Sequence, residues 1–188
     1  TLSKRGRGLQ VNLPKKTNPS LNIVMDSTGL KIYGEGEWKV RQHGVSKRRT
    51  WRKLHLGANP EDGEIQAVIL TENNVSDDQA VKTLLQQIDR EIAKFAADGA
   101  YDKCKVYDSL NAHSPNVDIL IPPRKNARLW KHGNTKAERH KRDENLRSIR
   151  KQGRNQWKKE SGYHVRSLAE TTMFRLKTIF GDELSARL

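Results

Sequence analysis

The sequence predicts an α/β domain built on a mixed sheet flanked by helices. Three short apolar runs separated by turn-forming residues precede the first helix-spaced segment, which suits an antiparallel meander. Beyond it, helical and strand patterns alternate, which suits parallel strands joined by crossover helices. The last clear pattern, from Ser161 to Phe180, is a helix stopped by Gly181.

Residues 1–20 are polar and basic, carry Gly6, Gly8, Pro14 and Pro19, and read as an arm or linker. Leu21–Asp26 (LNIVMD) is an apolar run suited to a buried strand; it ends at a Ser-Thr-Gly turn, with Leu30–Tyr33 as a short continuation. Thr50–Ala58 alternates in part. After the turn-forming Asn59-Pro60-Glu61-Asp62-Gly63, Glu64–Thr71 makes the third strand of the meander. Asp77–Ile88 has helical spacing through Ala80, Val81, Leu84, Leu85 and Ile88, with Ser76 as N-cap. Ile92–Ala97 is a strand closed by Asp98-Gly99, Tyr101–Ala112 a short helix, and Val117–Ile121 a strand stopped by Pro122-Pro123. Arg124–Lys159 has little periodic apolar content and reads as a mobile loop or a lid that orders on a ligand. This order matches a ribonuclease-H-like fold. It divides the chain into an arm, 1–20, and a single domain, 21–188, with a basic insertion at 124–160.

Charge narrows the function. The 188 residues hold 36 Lys and Arg against 22 Asp and Glu, a formal charge of +14 with a pI of about 10.0. Residues 1–60 hold 13 basic and 3 acidic side chains, residues 61–100 hold 3 and 9, and residues 101–188 hold 20 and 10. Arg124–Lys159 alone holds 14 basic and 3 acidic ones. Trp38, Trp51, Trp130 and Trp157 all lie in the basic stretches, and basic blocks with interleaved aromatics neutralise phosphates and stack on bases. No apolar run reaches the roughly 18 residues of a membrane span. The N-terminus lacks the apolar stretch of a signal peptide. Cys104 is the one cysteine, which excludes an internal disulfide framework and argues against a thiolate metal site. The composition therefore predicts a soluble intracellular protein that binds polyanions.

Three carboxylates stand out. Asp26 closes LNIVMD and Asp98 closes IAKFAAD; a charge at the end of an apolar strand must be solvated, hydrogen-bonded or metal-bound. If the two strands are neighbours, both carboxylates emerge at one edge of the sheet. Either alone also reads as an ordinary turn aspartate. The third comes from the last helix: at 100° per residue from Tyr163, Arg166, Glu170 and Lys177 share one arc of about 60°. The apolar residues Val165, Leu168, Ala169, Met173, Leu176, Ile179 and Phe180 occupy the neighbouring face. A solvated helix face with an Arg166–Glu170 pair at i,i+4 is the plainer reading of the stripe.

Tyr163, two residues, Arg166, three residues, Glu170, six residues, Lys177 is the Tyr-Arg-Glu-Lys signature, and here the chain resembles the bacterial insertion-sequence DDE transposases. LNIVMDSTGLK around Asp26, RTWRKLHLGA, FAADGAYD around Asp98, LIPPRKNA and SLAETTMFRLKTIFG around Glu170 carry the rest of the resemblance, over about residues 20–188. It implies a ribonuclease-H-like catalytic domain with Asp26, Asp98 and Glu170 as the catalytic, metal-binding triad. It also implies two Mg²⁺ (or Mn²⁺) ions and metal-dependent cleavage and strand transfer of double-stranded DNA. Arg166 and Lys177 would hold DNA phosphates near the cut, with Tyr163 in the same stripe. Arg124 and Lys125, at the head of the basic stretch, are further DNA-contact candidates. Multimers on paired DNA ends, a cytoplasmic, nucleoid-associated location, and flanking segments beyond this core at both ends are further expectations.

Other residues take plainer roles. Asp102 lies four residues past Asp98 and is set aside because it does not end the strand. Asp77 and Asp78 suit the first turn of a helix. His55, His113, His132, His140 and His164 lack metal spacing with cysteine and read as surface or DNA-contact residues. Cys104 reads as a helix residue without redox work. Trp130 and Trp157 suit either stacking at DNA ends or packing. The alternative function is a non-catalytic DNA-binding module, including a decayed transposase; a nuclease that only hydrolyses is a third possibility.

Overall fold

A computed structural model of the chain describes residues 20–32, 51–131 and 140–184. The expected N-terminal arm up to residue 19, Trp38 and His132 lie outside the described residues. The first strand, β1 (Ser20–Ile32), does not break at Ser27-Thr28-Gly29 as the sequence suggests. Its partner β2 (Trp51–Ala58) pairs antiparallel with it without interruption from Val24↔Ala58 to Lys31↔Trp51. That ladder satisfies the backbone groups a turn would otherwise have to cap. Asp26 therefore sits mid-strand, not at a strand end.

A tight turn leads to β3 (Ile65–Glu72), antiparallel to β2. Gly63 adopts φ +74° in this turn, a conformation that a side chain would strain. The meander is as expected. Helix α1 (Asp77–Leu85) buries Ala80, Val81, Leu84 and Leu85, the residues its spacing selects. Gln79 Oε1 accepts the Ser76 N–H at 3.0 Å, half of a capping box. Strand β4 (Glu91–Ala96) follows, then one 3₁₀ turn (Gly99–Tyr101), α2 (Cys104–His113) and β5 (Asp118–Leu120). Cys104 is exposed at the start of α2.

The sheet order is β3-β2-β1-β4-β5. Strands β1, β4 and β5 are mutually parallel. A two-residue strand, β6 (Glu183–Leu184), pairs parallel with β1 at Lys31 and Ile32 beyond the end of β4. One face of the sheet is covered by α1 and α2 around Phe95, Tyr101, Tyr107 and Ile119; the other packs Val24, Leu56 and Ala96 against Trp157, Tyr163, Ala169 and Met173.

The basic insertion departs most from its sequence reading. Its described residues include two helices, α3 (Lys141–Gln152) and α4 (Arg154–Glu160), where the sequence suggests a mobile loop or a lid. Its scarce apolar residues are supplemented by buried polar ones. Arg142 forks onto Asp102, Nε to Oδ1 at 2.7 Å and Nη2 to Oδ2 at 3.1 Å, and lies over the Trp130 ring at 3.9 Å. Asp143, fully buried, accepts the backbone N–H groups of Trp130 and Lys131. Asn145 donates to the Ile119 carbonyl, and the Trp157 indole donates to Asn145. Trp130 and Trp157 are thus packing anchors. Periodicity cannot register an insertion held by a guanidinium and two carboxylates.

The last helix, α5 (Ser167–Phe180), is preceded by a 3₁₀ turn at Tyr163–Arg166, so Tyr163 is not on the α-helical stripe projected for it. Its side chain packs inward on Trp157, ring centroids 5.5 Å apart. The apolar face of α5 is only partly covered. Ala169, Thr172 and Met173 meet the sheet, while Leu168, Ile179 and Phe180, expected to pack, are exposed, as is Phe174. Among the described residues no helix is long and apolar enough to cross a membrane.

The clasp on the insertion gives a stability prediction. Burial alone would raise the Asp143 pKa, but the two backbone N–H groups and Arg142 outweigh it and hold the group below the ordinary 3.8. An acid lowered in this way stabilises the fold above its unfolded value, and the benefit is lost as pH falls through the folded one. Asp143→Asn should lower stability at pH 7 by about 3–5 kcal/mol, the usual cost of breaking a buried pair. In denaturant melts, its deficit against the unmodified chain should shrink below about pH 3.8.

Candidate active site

The parallel register of β1 and β4 builds the acidic centre. Val24 pairs with Ala96, so Asp26 and Asp98, each two residues further on, emerge level with one another on the same face. Asp26 follows Val24 along β1, which continues; Asp98 leaves β4, which has ended. The two strands are neighbours, the condition on which the sequence expectation rested, although only Asp98 lies past a strand end. Asp98 turns the chain by accepting the Ala100 N–H at 2.8 Å. Gly99 beside it keeps the turn close to β5: a Cβ there would come within 3.2 Å of the Pro122 carbonyl oxygen, a tight contact.

Helix α5 supplies the third carboxylate. Ala169 and Met173 press the helix onto the face that carries Asp26, and Glu170, next to Ala169, projects at the rim. Arg166 joins the two elements: its Nη2 donates to Asp26 Oδ2 at 2.8 Å and its Nη1 to Glu170 Oε1 at 2.7 Å. Arg166 Nε is buried without a partner. Lys177, one arc further down α5, donates to the Gly29 carbonyl at 3.0 Å and ties the helix to β1.

The electrostatics reflect burial first and neighbouring charge second. Burial raises the Asp26 pKa above the ordinary carboxylate value; Asp98 and Glu170 push it further, while the Ser27 N–H and Arg166 pull it back. Burial pushes the Tyr163 phenol up to about 12; Arg166 opposes the shift, and Asp98 and Asp26 add to it. Burial alone would lower the Arg166 pKa, but Asp26, Tyr163 and Glu170 drive it higher. Asp26, Asp98, Glu170, Arg166 and Tyr163 therefore share one electrostatic neighbourhood.

Beneath this centre is a polar layer that the sequence reading missed. His55 is fully buried on β2, not a surface residue. Its Nε2 lies 3.0 Å from Thr71 Oγ1, and its Nδ1 lies 3.5 Å from Asp77 Oδ1, which Lys53 Nζ approaches at 2.8 Å. Burial holds the imidazole below its ordinary pKa. Tyr101 is fully buried, its hydroxyl has no partner, and after burial the charges of Asp77, Asp26 and Asp98 most oppose its ionisation. The available signal was the position of His55 between Leu54 and Leu56 in a strand buried on both faces. His113 and His140 are likewise structural: His113 bonds Ser114 and the Ile88 carbonyl, and His140 caps α3 against Tyr107 and Trp130. His164 is exposed.

Asp102, set aside in the sequence reading, is committed to Arg142 away from the centre. Arg124 and Lys125 are exposed after β5, and Lys125 lines an open groove with Ile149, Gln152 and Arg154. Among the described residues no three His, Cys, Asp or Glu side chains form a group ready to hold a metal. Three carboxylates are nonetheless the hard oxygen donors that Mg²⁺ and Mn²⁺ prefer. Asp26 is half-buried in the same electrostatic neighbourhood as Asp98 and Glu170, and the donor chemistry of the three fits a divalent cation. The gap between Asp26 and Glu170 is filled by a guanidinium.

Residues 18–187 match the family model described as "Transposase DDE domain". The match spans the whole described fold and all three carboxylates, and the chain belongs to the transposase DDE domain family.

Proposed function

We propose that this chain is the catalytic core of an insertion-sequence transposase, cutting DNA and joining the freed end to a target in a divalent-metal-dependent reaction. The observation that carries the proposal is the level placement of Asp26 and Asp98 by the β1–β4 register, with Glu170 reaching the same centre through Arg166. The strand order β3-β2-β1-β4-β5, antiparallel then parallel, supports a ribonuclease-H-like assignment for the domain.

In this reading Asp26, Asp98 and Glu170 hold the metal ions. Bound ions of this kind activate a water or 3′-hydroxyl nucleophile and stabilise the leaving oxygen of an in-line displacement. The chain's own residues do the rest. The rigid β1–β4 ladder fixes two carboxylates, and α5 brings in the third. Tyr163, whose phenol stays protonated at neutral pH, offers a hydrogen bond without adding negative charge. Arg166 and Lys177 supply positive charge where phosphates must approach carboxylates. The exposed Arg124, Lys125, Arg150, Lys151 and Lys159 of the insertion, with the half-buried Lys158, lie on or beside the helices that dock it against β5, and are suited to a flanking duplex. Double-stranded DNA is the partner, and assembly of copies on paired ends follows from the family reading.

Two experiments test this. Asp98→Asn should abolish Mg²⁺-dependent nicking and strand transfer on a duplex carrying the element's ends, while far-UV circular dichroism and DNA affinity remain near those of the unmodified chain. Equal activity in both would remove Asp98 from the centre. Replacing Lys158 and Lys159 with alanine should weaken duplex binding alike for all sequences. It should also flatten the slope of log affinity against log salt by roughly 1–2, since each phosphate contact contributes about 0.9. An unchanged slope would place the DNA elsewhere on the surface.

A further inference from the structure

Arg166 is in an unusual position for a phosphate-binding residue. Its two terminal nitrogens go to two different carboxylates, Asp26 at 2.8 Å and Glu170 at 2.7 Å, and its Nε is buried with no acceptor. A guanidinium recognises a phosphate best through two parallel N–H groups on one edge. In this arrangement Arg166 presents no such edge, because both terminal nitrogens are committed to separate carboxylates. The side chain cannot lose its charge to escape, since arginine stays protonated in proteins. The same oxygens that accept from it, Asp26 Oδ2 and Glu170 Oε1, are among those a divalent cation would need.

We propose that Arg166 is a stand-in cation: it occupies the gap between Asp26 and Glu170 until a DNA phosphate draws it out, so that metal loading and DNA binding are coupled. This rests on the reading of the centre as metal-binding and adds how it is regulated. The exchange conserves bonding on both sides. The carboxylates trade a guanidinium for a divalent cation. Arg166 trades two single contacts for a forked one in which Nε gains the acceptor it lacks. Neither trade is favourable alone. Without DNA, an incoming cation would confront Arg166 across a few ångströms of half-buried site, where like charges repel strongly. Without metal, withdrawing Arg166 would leave the partly buried Asp26 beside Asp98 and Glu170 without the guanidinium that now bridges it to Glu170. The free protein is thereby kept from assembling a competent metal centre off DNA.

The coupling is reciprocal, so it can be read as metal affinity without any turnover. The probe is Mn²⁺ binding to the full chain, followed by loss of the free-ion electron paramagnetic resonance signal, with and without a short duplex whose own uptake is subtracted. The unmodified chain should bind Mn²⁺ weakly alone and roughly tenfold more tightly with DNA. Arg166→Gln should bind Mn²⁺ about tenfold more tightly than the unmodified chain without DNA, and respond little to the duplex. Arg175→Gln, which removes the same charge from an exposed position of α5, should behave like the unmodified chain. If Arg166→Gln binds no more tightly than the unmodified chain while Asp98→Asn abolishes binding, the metal centre stands and the stand-in role falls. If no variant binds Mn²⁺ saturably, the metal-centre reading falls with it. Should Arg166→Gln fail to fold, the unmodified chain decides: Mn²⁺ affinity indifferent to DNA overturns the proposal.

Discussion

The parallel pairing of β1 with β4 is the constraint on which the rest of this structure depends. Antiparallel partners would carry Asp26 and Asp98 in opposite directions from their point of pairing. Parallel partners carry them together, and the match of Val24 with Ala96 leaves both two residues further along on one face. A one-residue slip would send one of the two carboxylates into the apolar packing around Phe95 and Tyr101, where it would lack a partner. The register is protected by that penalty. It is protected again by α1 and α2 on one face and by α5 with Trp157 on the other, each filling space that a slipped strand would not fit.

With two carboxylates level and a third at the rim, the main problem is charge. Asp26 is half-buried, and burial first and the neighbouring Asp98 and Glu170 second raise its pKa. Arg166 reduces it by bridging two of the three acids. The deeper layer of His55, Asp77, Lys53 and Tyr101 extends the same polar character under the sheet, with His55 held neutral by burial and Tyr101 unable to ionise. Local disadvantage in charge, held in place by surrounding packing, is typical of centres built to bind something charged.

The insertion solves a different problem with similar means. It must hold a strongly basic segment against the core without enough apolar residues to bury. A forked Arg142–Asp102 pair, the capping carboxylate of Asp143 and two tryptophans do this work in place of a hydrophobic stripe. Asp102 lies four residues beyond Asp98, so one short segment serves both the acidic centre and the anchor of the insertion. The basic side chains of α3 and α4 are thereby carried on rigid helices. Among the described residues, packing leaves apolar side chains uncovered on the outer face of α5, at Phe174, Ile179 and Phe180, and on β3, at Ile65, Val68 and Leu70.

Much of this was legible in the residues. Alternation and turn chemistry located the meander, helical spacing selected the four buried residues of α1, and the strand-terminal position of Asp98 singled it out over Asp102. What was misread shares a cause. The Ser-Thr-Gly in β1, the helices of the insertion and the buried His55 all depend on partners distant in sequence: a strand paired through the supposed turn, carboxylates that anchor Arg142, and Thr71 and Asp77 around an imidazole. Local propensity contains no term for those partners. The sequence by itself determined which side chains could do chemistry, because residue type and local periodicity are properties of the chain. Only the tertiary structure decided that Arg166 stands between Asp26 and Glu170. That contact joins residues 140 positions apart, and a separation of that kind is closed by the packing of a helix on a sheet, not by any pattern within either one.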